Sequence, residues 1–203
     1  VIVEAEEYVA ILPVFLEKSC LKRMAGSQSL DKLMQYALGD DDLRTLLGND
    51  VKIITYPELG KESLGDLLGP GGHTLLLFLT EDKTHGHWLT VLGQDGGKKI
   101  EVFDSFGTPI DGDRAWLDQN KLSSLHETLP LLGDILKAAQ EEGIQVVHNT
   151  TKLQGDHADT CGRHVAVRLL NKELPIEEYV KRLKGQGNPD EVVTKITYNL
   201  LGK

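Results

Sequence analysis

Cys161 lies in the stretch LQGDHADTCGRHVAVRLL, where polar residues give way to an apolar pattern at helical spacing. A cysteine in the first turn of a helix meets unpaired backbone N–H groups and the positive end of the macrodipole. Both favour the thiolate over the thiol. Gly162 follows at once and leaves room for another backbone or a substrate to come close. A free cysteine is also a common small core residue, so position alone does not make Cys161 reactive. A nucleophilic thiol needs a base, and the base needs a group that orients it.

Seven histidines are available as that base. His148, His157 and His164 are near Cys161 in sequence, whereas His73, His85, His87 and His126 are distant. His164 falls one turn along the same helix, so its ring runs along the helix and not across a cleft. His157 falls in a loop. His87, in THGHWLTVL, opens an apolar strand pattern. A strand end can aim a side chain at a helix N-terminus packed across from it. The next strand pattern ends at Asp104 in EVFDSFG, and the intervening QDGG favours a hairpin. Paired in that hairpin, His87 and Asp104 come to the same end of adjacent strands. The carboxylate then holds one imidazole nitrogen and leaves the other for the thiol. Taken singly, each has a plain structural role open to it; the order His, Asp, Cys makes them a candidate catalytic set.

Other chemistries are weaker. HGH at 85–87 offers two zinc ligands that His73, His157 or Cys161 would have to complete. No second close-spaced pair and no CxxC spacing supports that site. GPGG at 69–72 reads as a turn, because no Lys-Ser/Thr follows as a phosphate loop requires. No cofactor and no metal is expected.

The elements that must position these residues follow from periodicity. Helical patterns cover Ser29–Leu38, Asp40–Leu47, Leu64–Leu68, His126–Glu142, Thr160–Asn171, Pro175–Leu183 and Pro189–Leu201. Asp159 is the expected N-cap of the Cys161 helix, with Thr160 as the alternative, and Asn188 is that of the last one, with Pro189 in its first turn. Strand patterns cover Val51–Tyr56, His73–Thr80, His87–Gly93, Lys99–Ser105 and the IQVVH stretch. The class is α+β: a small, mainly antiparallel or mixed sheet packed against helices, with Cys161 at a helix N-terminus beneath it. One domain over 1–203 is expected, with a catalytic core at about 45–185 and an N-terminal helical extension over about 1–45.

Bulk composition excludes several functions. The chain has 203 residues, 40% of them hydrophobic, which is enough to bury a core without disulfides. Two cysteines cannot build a disulfide framework, which points to a reducing compartment. No run of 18 apolar residues reads as a membrane span, and Glu4, Glu6 and Glu7 break the apolar start that a signal peptide would need. The net charge of −9 argues against strong nucleic-acid binding.

HW at 87–88, FDSFG at 103–107, LQG at 153–155 and TCG at 160–162 resemble the signature of the adenovirus-endopeptidase and SUMO-deconjugating clan of cysteine proteases. The wider phrasing, in VKIITYPELG, LGDLLGP, GHWLTVL, EVFDSFGTP, DTCGRHVAVRL and NPDEVVTKIT, is closest to the capsid-maturation proteases of virophages and Polinton-like DNA viruses. The resemblance covers roughly residues 40 to 200. It implies an adenain-like fold, with His87 as general base, Asp104 as its orienting acid and Cys161 as nucleophile. Gln154, seven residues before Cys161, corresponds to the side-chain donor of the oxyanion hole, and Trp88 flanks the site with Gly162 on the substrate side. The implied function is a cysteine endopeptidase acting on viral capsid protein, in the virion or host cytoplasm, as a monomer. An isopeptidase for a ubiquitin-like modifier would share the same constellation, and a zinc-binding or interaction module is the non-enzymatic alternative. The loop GDHAD between Gln154 and Cys161 departs from a purely activating setting, because acids beside a thiolate oppose the helix effect.

Overall fold

Chain order alternates short helices and strands around one sheet. α1 (Leu30–Met34) and α2 (Asp40–Leu47) lead into β1 (Lys52–Thr55). A 3₁₀ turn over Tyr56–Lys61 and α3 (Leu64–Leu68) connect to β2 (His73–Leu79), β3 (Gly86–Gln94) and β4 (Lys99–Asp104). A second 3₁₀ turn, Gly112–Trp116, precedes α4 (Gln119–Leu125), α5 (Leu131–Glu141) and β5 (Gln145–His148). The chain ends with α6 (Cys161–Leu170), α7 (Ile176–Gly185) and α8 (Pro189–Leu201). This computed structural model describes residues 29–82 and 84–202, so Cys20 and most of the expected N-terminal extension lie outside the described residues.

The strands lie in sequence order, β1-β2-β3-β4-β5. The outer pairs β1/β2 and β4/β5 are parallel, and the two inner pairs are antiparallel. The expected α+β class and mixed sheet are therefore what the chain forms. The β2 run is apolar without interruption because it feeds two cores. Leu75, Leu77 and Leu79 face one cluster with Trp88, Leu92, Phe103 and the apolar residues of α6, α7 and α8. Leu76 and Phe78 face the other, with Leu89, Val91, Ile100, Val102 and residues of α3, α4 and α5. Helices thus cover both faces of the sheet.

α6 is buried all round from Cys161 to Leu169, between the sheet and the helices α2 and α8. Its charged residues are consequently partnered. Arg168 makes a two-pronged contact with Glu101 on β4, Nε to Oε1 at 2.6 Å and Nη2 to Oε2 at 2.8 Å, with both side chains fully buried. Removing one member leaves a desolvated charge. Glu101→Ala is expected to cost about 3–5 kcal/mol of stability, read by denaturant unfolding.

Among the boundaries that differ from the sequence expectation, three concern the core and the site. The helix expected over Ser29–Leu38 stops at Met34. The carbonyls of Leu33, Tyr36 and Leu38 instead serve buried side chains of the core, Arg163 Nη2 and Trp88 Nε1. The stretch expected as one helix over His126–Glu142 is split: His126 takes φ 63° as the C-cap of α4, and Pro130 starts α5. α6 begins one residue later than expected, with Thr160 and not Asp159 as its N-cap.

Candidate active site

β3 begins where the chain passes closest to its neighbour. A Cβ on Gly86 would stand 1.9 Å from the Phe78 carbonyl oxygen, so only glycine fits before His87. The hairpin register pairs Leu89 with Asp104, which puts His87, two residues earlier on the same face, diagonal to Asp104 at the end of β4. The chain there realises the predicted meeting: His87 Nε2 and Asp104 Oδ1 lie 2.6 Å apart, both side chains 5% exposed. Asp104 is fixed further by its neighbours. Oδ1 accepts from the Phe106 N–H at 2.9 Å and Oδ2 from the Thr108 N–H at 2.8 Å. Asn149 bonds both backbone groups of Asp104, accepting its N–H and donating to its carbonyl.

Cys161 stands at the first position of α6, buried and unpaired with another cysteine. It is close enough to His87 to act on its titration. Burial pulls the imidazole down, but hydrogen bonding to Asp104 and Cys161 and their charges outweigh this and raise His87 to about 10. Burial pushes Asp104 up, but the His87 bond and charge and the Phe106 N–H hold it below the usual carboxylate range. With Nε2 committed to Asp104, Nδ1 is the ring nitrogen left for the thiol. Phe106 and Trp116 pack against the ring at 5.0 and 5.2 Å between centroids, holding its plane.

Gln154 is buried on the loop before α6. Its Oε1 accepts from Ser105 Oγ at 2.6 Å, and its Nε2 donates one hydrogen to the Ala158 carbonyl. A carboxamide has two N–H donors, so one remains to point elsewhere. Ser105 also receives the backbone N–H groups of Leu153 and Gln154 on its carbonyl, which ties this loop to the end of β4. The loop acids face water: Asp156 and Asp159 are exposed, and Asp156 is tied to Lys152.

Trp88 and Gly162, expected on the substrate side, are packing residues instead. Trp88 is 5% exposed, with its Nε1 donating to the Leu38 carbonyl at 3.0 Å. A Cβ on Gly162 would meet Leu38 Cβ at 3.0 Å and Trp88 Cδ1 at 3.2 Å. The alternation of β3 turns Trp88 into the α6 core, away from the face His87 occupies. Gly162→Ala is therefore expected to push α6 off this contact and cost about 1–3 kcal/mol, measured as a lowered Tm.

The remaining histidines separate. His85 is exposed on Asp82 while His87 is buried on Asp104, so the HGH pair does not converge. His164 is buried beside Asp190, and His157 is exposed. Among the described residues, the group with metal-ligand spacing is His87, Asp104 and Asp113, whose ligand atoms lie within 4.8 Å of one another.

Asp113 was not visible as a site residue, because nothing in its 3₁₀ turn marks it locally. It is buried, with Oδ1 unpartnered. Burial first, then the charge of Asp104, push it up to about 7 against the pull of His87. Folding favours its neutral form, so the stability it contributes is complete below about pH 4 and lost as pH rises through 7. Asp113→Asn should match wild type at pH 4 and exceed it by about 2–4 kcal/mol at pH 8, read by chemical denaturation at both pH values.

No family model matches the chain. Solved structures that align with it include SUMO protease Ulp1 with its catalytic cysteine oxidised to a sulfinic acid, and the same protease with that cysteine as a sulfenic acid. Each gives a TM-score of 0.37 and 12% identity; the first covers 99% of this chain and 98% of that one, the second 85% and 76%. In sequence, the chain is 32% identical over 169 residues to the uncharacterized protein V9 of Sputnik virophage, covering 79% of this chain and 94% of V9. With nearly all of that virophage protein matched at this identity, the chain belongs to the family of Sputnik virophage protein V9.

Proposed function

We propose that the protein is a cysteine endopeptidase that cleaves viral structural proteins, capsid protein first among them. The observation that carries this reading is the buried His87–Asp104 pair with Cys161 beside it at a helix N-terminus. The virophage relative supplies the viral setting.

In this reading the Cys161 sulfur attacks the scissile carbonyl while His87 holds the proton taken from the thiol. Asp104, bonded at Nε2, keeps that proton on Nδ1, facing the reaction. The oxyanion of the tetrahedral adduct is received by the Cys161 backbone N–H and the remaining Nε2 hydrogen of Gln154, a donor worth about 3 kcal/mol in such sites. His87 passes its proton to the leaving amine, and a thioester joins the acyl half of the substrate to Cys161. Water, deprotonated by His87, then hydrolyses the thioester and restores the thiol. A pocket of about 380 Å³ beside the site, lined by Phe106, Thr108, Trp116, Lys152 and Asp156, gives the substrate an aromatic wall. Trp116 is 45% exposed there and would rest against an extended peptide.

The test is to incubate wild type and Cys161→Ala with the capsid proteins of the same virus and map new termini. New termini from wild type alone are expected. Identical products from both proteins, or none from either, would overturn the reading.

A further inference from the structure

Outside the His87–Asp104 pair, the most fully engaged carboxylate near Cys161 is Asp190, in the first turn of α8 and 5% exposed. Its Oδ2 accepts from the Gly155 N–H at 2.8 Å. Its Oδ1 accepts from the Thr160 hydroxyl and lies 3.0 Å from His164 Nε2. Gly155 directly follows Gln154, Thr160 directly precedes Cys161, and His164 is one turn further along α6. A single carboxylate from a distant helix therefore grips both ends of the loop that separates Gln154 from Cys161. Asn188 holds the backbone of Asp190, its Oδ1 receiving the Asp190 N–H at 3.0 Å. A Cβ on Gly155 would stand 3.2 Å from Asp190 Oδ2, a tight approach that glycine leaves open.

We infer that Asp190 is a positioning residue of the oxyanion site, setting the separation between the Gln154 amide and the Cys161 backbone N–H. The inference rests on the peptidase reading above. Both donors act on a charge that exists only in the tetrahedral adduct, so a shift in their spacing weakens the transition state and leaves substrate binding alone. Asp190 makes no hydrogen bond to His87 or Asp104, and α6 is held against β3 and β4 by its own packing, so losing the carboxylate acts chiefly on the Gly155 end of the loop, next to Gln154. Alkylation of Cys161 by iodoacetamide needs the thiol–imidazole pair but no oxyanion donor, and it separates the two functions.

The experiment compares wild type, Asp190→Ala, Asp190→Asn, Gln154→Ala and the Asp190→Ala/Gln154→Ala double variant. The substrate is a peptide spanning a mapped cleavage junction. Asp190→Ala is expected to lower kcat about 30-fold with KM and the iodoacetamide rate within twofold of wild type. Asp190→Asn should recover most of kcat. The carboxamide oxygen can take the Gly155 N–H while the NH₂ faces the Thr160 oxygen and the other tautomer of His164, whose Nδ1 is unpartnered here. The double variant should be no slower than Gln154→Ala, because a misplaced donor and a missing one cost the same step.

A kcat for Asp190→Ala within threefold of wild type, a parallel fall in alkylation, or full additivity in the double variant would overturn the inference while the peptidase stands. Should Asp190→Ala not fold, an Asp190→Asn variant that folds and is as slow as Gln154→Ala overturns it equally. A wild type no faster than Cys161→Ala on the peptide overturns the peptidase reading and the positioning role together.

Discussion

On the peptidase reading, Cys161→Ala is expected to lower peptide cleavage by about 10⁴-fold or more and to leave the fold standing. The loss is total in kind because no other described residue offers a sulfur or hydroxyl beside His87 at a helix N-terminus. The fold survives because the change deletes one atom from a site at the rim of the core, where the side chain is 8% exposed. The His87–Asp104 bond does not involve the thiol and persists. Initial rates on a junction peptide, with Tm beside them, check both halves. Cleavage by the alanine variant within tenfold of wild type would remove the thiol from the reaction.

Asp104→Asn comes next in size, at about 10³–10⁴-fold in kcat/KM. The carboxylate accepts at both oxygens, from His87 and Phe106 at one and from Thr108 at the other. A carboxamide accepts at one only. With its oxygen toward His87, its NH₂ meets the Thr108 N–H, donor against donor. Turned over, its NH₂ meets His87 Nε2 and forces the ring proton onto Nδ1, the nitrogen that must take the thiol proton. Either orientation damages the site, and the second also inverts the tautomer. His87 is held up in part by the Asp104 bond and charge, so the variant lowers it. The protonated ring is lost as pH rises through its titration point. The alkaline limb of the pH–rate profile is therefore expected to lie at lower pH in the variant than in wild type. A full profile of kcat/KM for both proteins reads the effect; an unmoved alkaline limb would detach Asp104 from His87.

These variants probe a site whose parts were unequally legible. His87, Asp104 and Cys161 could be picked out because each sits at an element boundary that local chemistry announces. QDGG fixes the hairpin, and the hairpin brings two strand ends together. An apolar run after polar residues marks a helix start. Gln154 could be named only by resemblance, since a glutamine in a loop carries no periodic signal. Trp88 was placed beside the site by the resemblance, and Gly162 by the room that a glycine leaves for a substrate. Alternation along β3 sends Trp88 into the opposite core, where it packs on Gly162.

The helix boundaries misjudged from sequence have two causes. Ser29–Leu38 has helical spacing throughout, but the Leu33, Tyr36 and Leu38 carbonyls are worth more to Arg163 and Trp88 than to another helical turn. Propensity loses there to buried donors from distant segments. His126 and Pro130 did carry local break signals inside an otherwise periodic stretch, and the periodicity hid them.

By itself, then, the sequence determined the class of fold, the sheet's inner hairpin with His87 and Asp104 at its open end, and the helix start that carries Cys161, because pattern and turn chemistry are local and act within about ten residues. Tertiary structure alone decided the company those residues keep. Asp113 beside the imidazole, Phe106 and Trp116 against its ring, Asn149 locking Asp104, and Asp190 gripping the loop before Cys161 all join segments far apart in the chain. Such contacts depend on which faces pack together, and no local spacing encodes that.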